Sequence, residues 1–172
     1  MPRIACVFLV LILMAGGLTT SAAGQSAEEH AGGVHYWLYA GPSLTTLGAG
    51  VSGGVSVEAD RHVFSLRATS TDPSFGEETW DVGVLYGRVL PVRSFLFSAS
   101  TGVAVVSGTS YGSLFGGGAG ENLETMIGFP LEGAITWQPT RVFGLGVRGF
   151  ANVNTGQPFG GVGVTLRVGR LR

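Results

Sequence analysis

Three histidines follow the first 23 residues: His30, His35 and His62. Acyl transfer or deacylation would need one of them beside a serine, with an acid to orient it. The nearest pairing, His62 with Ser65, puts the two side chains on opposite faces of one strand, so they do not meet. Three scattered histidines also lack the spacing of a metal site. The run Gly116-Gly117-Gly118-Ala119-Gly120 has neither the lysine nor the Ser/Thr of a phosphate loop, and no strand-to-helix unit surrounds it. Asp81 and Glu132 are of the right type for paired acid/base work. Arg67, Arg148 and Arg167 fall on the same strand face, and ion pairing among the five is the expected arrangement. Neither an enzyme nor a cofactor is expected.

These charges must be positioned by strands. No segment shows apolar spacing of three and four, whereas alternation with period two recurs between Gly, Pro, Asp and Asn. Eight segments are predicted: 34–44, 48–58, 62–71, 78–89, 94–106, 125–138, 141–152 and 157–170. The connections alternate as well. Those after the second, fourth and sixth segments are tight, and those at 72–77 and 107–124 are longer. Residues 1–23 read as a cleaved secretory signal peptide, with Arg3, then a short apolar run, then Ser21-Ala22-Ala23. That run is too short to span a bilayer, which needs roughly 20 residues. A short segment, 24–33, precedes the predicted β-domain at 34–172.

The single cysteine, Cys6, lies in the leader, so the mature chain can form no disulfide and offers no thiol ligand. All 11 acids but only nine of the ten basic residues lie beyond residue 23, giving a formal charge of 9 − 11 = −2. There is no basic excess to hold nucleic acid. Only 12% of residues are charged and none is lysine, yet no uninterrupted apolar run is long enough for a membrane helix.

Eight meandering strands are expected to close into an antiparallel up-and-down barrel, because closure removes exposed edges. The two faces decide its polarity. One carries Glu58, Arg67, Asp81, Glu132, Arg148 and Arg167 among small residues. The other carries Val, Leu, Ile and Phe, with charges only at strand ends. Small residues with a few charges suit the narrow interior of an eight-stranded barrel. An exterior of Phe, Val, Leu and Trp suits lipid. An aromatic girdle is predicted from Trp37, Tyr86, Phe95, Trp137 and Phe143 near the tight turns and Trp80 near a longer loop. A soluble, lipocalin-like barrel with its apolar face inward is the alternative.

On this pattern the chain resembles the small eight-stranded outer-membrane β-barrels, such as the transmembrane domain of outer-membrane protein A and the porin-like family. The resemblance implies a transmembrane barrel in a Gram-negative outer membrane, exported by its signal peptide and inserted by the barrel-assembly machinery. It implies contact with outer-membrane lipids, periplasmic tight turns and cell-surface loops. Two departures stand out. The chain ends Leu171-Arg172 rather than on an aromatic residue, and Pro130 interrupts the sixth strand, where a bulge or a late start is expected.

The longer loops hold Asp72, Glu77, Glu78, Glu121 and Glu124 and no arginine, so divalent cations could bridge them to lipid phosphates. The tight-turn side holds Arg61, Arg88, Arg93, Arg141, Arg170 and Arg172. The functional expectation is a structural or surface-interaction role. A narrow pore for small solutes is the second reading, and a secreted lipid-binding barrel the third. No peptidoglycan-binding domain is expected after the eighth strand.

Overall fold

The computed structural model describes residues 33–71, 77–110 and 121–172. The signal-peptide segment, His30, Asp72 and the glycine run lie outside them. Eight strands follow one another: β1 (His35–Thr45), β2 (Gly48–Ala59), β3 (His62–Thr71), β4 (Glu77–Val92), β5 (Phe95–Ser110), β6 (Glu121–Trp137), β7 (Phe143–Asn154) and β8 (Phe159–Arg170). Each pairs antiparallel with the next, and β1 pairs with β8, so the sheet closes on itself. All eight are within a few residues of the predicted segments.

The tight turns form where the chain supplies unusual backbone. Asp60 and Arg61 both take positive φ, 49° and 68°, in the two-residue link between β2 and β3. Two successive positive-φ residues match the right-handed twist of the flanking strands. Arg93, at φ 52°, plays a similar part between β4 and β5.

Strands β4, β5 and β6 are longer than expected, at 16, 16 and 17 residues. Residues 107–110 and 121–124, read as loop, are paired: Ser110 opposes Glu121, Thr109 opposes Asn122 and Gly108 opposes Leu123. The segment SGTS lacks apolar alternation, so nothing in its pattern marks it as strand, but the hairpin ladder extends through it.

The bulge expected at Pro130 is elsewhere. β6 runs continuously through Pro130, which opposes Asn152 on β7. Towards β5 the register is the same before and after the proline, with Thr101 opposite Leu131 and Ala104 opposite Gly128. The missing donor is accommodated without a shift, and the Thr101 hydroxyl donates to the Pro130 carbonyl at 3.0 Å. The register shift falls between Val106 and Gly108.

Candidate functional site: the charged lumen and the apolar wall

Arg67, Asp81, Arg148 and Glu58 are almost wholly buried, and Arg167 is 4% exposed. Large apolar side chains, among them Val84, Val103, Ile127, Val147 and Val164, are instead about half exposed or more. The inward parity therefore holds the charges and the outward parity the hydrophobes.

One cluster joins β2, β3, β4, β6 and β7. The Arg67 guanidinium donates to the Asp81 carboxylate, and Nδ2 of Asn152 donates to the same oxygen at 2.8 Å. Glu132 lies 3.2 Å from Arg148 and 3.6 Å from Arg67, bridging the two cations. Arg148 also donates to Ser52. Its guanidinium stands 5.2 Å from the Tyr39 ring centre and 5.0 Å from that of Phe150. Buried charges are costly unless each has partners, and here acids, amides, hydroxyls and ring faces supply them. Gly54 leaves the room this requires: a Cβ there would come within 2.8 Å of the Tyr39 hydroxyl.

Arg167 is handled differently. No acid pairs with it among the described residues. Its guanidinium lies 5.3 Å from the Trp37 ring centre, and its Nε and Nη1 have no hydrogen-bond partner. The ion-pair network predicted for five residues thus joins four of them, Arg67, Asp81, Glu132 and Arg148.

Trp37 accounts for this, and its predicted place in the girdle is corrected. It is 2% exposed and points into the lumen. The run Tyr36-Trp37-Leu38-Tyr39 is apolar at both parities, so alternation does not set its phase. Pairing does: Tyr36 and Leu38 oppose Val57 and Val55 on the outer face, while Trp37 and Tyr39 oppose Ser56 and Gly54 inside. Tyr36, 52% exposed, stands outside in its place. Trp80, Tyr86, Phe95, Trp137 and Phe143 all point outward.

Two apolar clusters flank the charged layer. Trp37, Tyr39, Val63, Val89, Leu96 and Leu171 fill the tight-turn end. Val106, Phe150 and Phe159, backed by Leu47 and Met126, fill the loop end. Val63, Leu96 and Val106 were visible in the sequence as large apolar residues on the polar parity near strand ends. Glu58, at the tight-turn end, accepts from Arg172 Nε at 2.6 Å. His62 Nδ1 is hydrogen-bonded to the Tyr86 hydroxyl, while the Ser65 hydroxyl meets that of Ser56 at 2.7 Å.

A closed eight-stranded antiparallel barrel with charges inside and hydrophobes outside defines the class. No protein-family model and no curated protein matches the chain. Among solved structures it is similar to Neisserial surface protein A, with a TM-score of 0.55 and 14% identity over 81% of this chain and 99% of that one. It is also similar to the N-terminal β-barrel domain of Pseudomonas aeruginosa OprF, with a TM-score of 0.62 and 10% identity over 78% and 96% of the two chains. The fold is therefore that of the eight-stranded outer-membrane β-barrels.

Proposed function

We propose that this chain is an outer-membrane barrel with a structural or surface-interaction role, not an enzyme. The observation that carries the reading is the inversion of its faces: buried Arg67, Asp81 and Arg148 inside, and an outer wall of exposed Val, Leu, Ile and Phe. A wall of that kind suits lipid and would be hard to keep soluble in water. The fold likeness to two outer-membrane barrels supports the same location. Export by residues 1–23 and insertion by the barrel-assembly machinery belong to this reading. So does divalent-cation bridging at the acidic loops, where only Glu78 and Glu124 have described side chains.

The apolar clusters at both ends of the lumen favour a closed interior. One observation favours a narrow pore instead: unpartnered polar atoms of Ser43, Tyr39, Thr136 and Arg167 line the inside and call for water. Fractionation with electrophoresis of boiled and unboiled samples tests the location. Outer-membrane recovery and heat-modifiable migration are expected, and recovery in the soluble periplasm without detergent would sink the reading. Planar-bilayer recording separates the two membrane roles, with steady single-channel currents defeating the closed one.

A further inference from the structure

The outer wall is not uniformly bulky. Across β5, β6 and β7 the outward row runs Ala99, Gly133, Gly149, each opposite the next in register. Larger side chains rise around it and leave a groove of about 750 Å³. A second depression of about 600 Å³ shares those three residues and continues the groove towards the middle of the barrel.

Arg61 and Arg88 also line the larger groove. Both are exposed, and among the described residues neither makes an ion pair. Val89 N–H donates to the Arg61 carbonyl at 2.9 Å, which ties the β2–β3 turn to β4 beside Arg88. His62, opposite Arg88 in register, is engaged with the Tyr86 hydroxyl. Two cations without a counter-ion therefore border an apolar trough on the tight-turn side.

We propose that this groove seats one anionic phospholipid, with acyl chain over Ala99, Gly133 and Gly149 and headgroup phosphate held by Arg61 and Arg88. The inference rests on the membrane reading of the barrel. Guanidinium groups suit phosphate because their planar donors match its oxygens in pairs. A second copy of the chain fits less well. A two-fold contact through this face would bring its Arg61 and Arg88 towards these two, and no acid lines the larger groove to offset them.

The test is native mass spectrometry of the full barrel, released from detergent after exposure to phosphatidylglycerol or phosphatidylcholine. One phosphatidylglycerol should be retained, with a preference of about thirtyfold, as expected for two interfacial cations. The R61Q/R88Q variant should lose that preference. G149L should retain less of either lipid, with both arginines intact. An added Cβ at Gly149 meets nothing within 4 Å, so the fold should tolerate that change. Equal retention of the two lipids by the unaltered chain overturns the proposal, as does a preference that survives R61Q/R88Q. A dimer that excludes lipid overturns it too. A chain that inserts into bilayers and shows no preference refutes this inference alone. A chain that never inserts refutes the membrane reading with it.

Discussion

Arg148 and Arg167 lie on adjacent strands, point into the same lumen, and are both almost fully buried. Arg148 has an acid, a serine hydroxyl and two aromatic faces around it. Arg167 has one indole face and two guanidinium nitrogens without partners. The difference shows that parity puts a charge inside a barrel, but neighbours decide whether it is stabilised there. In the middle layer each cation meets a carboxylate. At the tight-turn end, Glu58 is taken by Arg172 and no other described acid is buried there, so Arg167 is left with Trp37.

The comparison can be broken at its strongest point. Asp81→Ala should cost about 3–5 kcal/mol, because it removes the closer acid from buried Arg67 and leaves two arginines sharing Glu132. Urea unfolding in lipid vesicles would measure it. The double variant Asp81→Leu/Arg67→Met should recover much of that loss, since Glu132 keeps Arg148. If it is no better than the single variant, the pair is not the source of the cost.

Moving a charge to the other face comes next. Val164, on the outer face of β8 one position along from Thr165, is about half exposed. Val164→Arg should destabilise the barrel by about 2–4 kcal/mol in vesicles, as for a charge at membrane mid-depth. A neutral result there would mean that the wall does not face lipid.

Arg167→Met should change stability by less than about 1 kcal/mol in either direction. It gives up a cation–π contact but removes an uncompensated buried charge. A loss as large as that of Asp81→Ala would erase the contrast between the two arginines. The smallest effect is expected at the rim. Arg172 is about a third exposed but its partner Glu58 is buried, so Arg172→Lys, which keeps a cation on that carboxylate, should cost only a few tenths of a kcal/mol.

Much of the fold was legible because strand alternation is a local signal. In β7, Phe143, Leu145 and Val147 alternate with Gly144, Gly146 and Arg148, and no other reading of that stretch buries one face consistently. Where both parities are apolar, as in Tyr36-Trp37-Leu38-Tyr39, the signal vanishes, and the girdle position expected for Trp37 falls on the wrong side of the wall. Where neither is apolar, as in residues 107–110, the strand was invisible. The girdle position of Tyr36 had the same ambiguity as that of Trp37, and only its partner Val57 resolves it.

The sequence by itself determined the number of strands, their approximate bounds, and the face on which Arg67, Asp81, Glu132, Arg148 and Arg167 lie. Each follows from neighbours two residues apart. The tertiary structure alone decided which charges meet. Arg148 reaches Ser52 across 96 residues, and Arg172 reaches Glu58 across 114. Those contacts depend on the stagger of eight strands around a closed ring, which fixes the height of each side chain in the lumen. Alternation carries no information about height, so the sequence put Arg167 inside the barrel, and only the register put Trp37 beneath it.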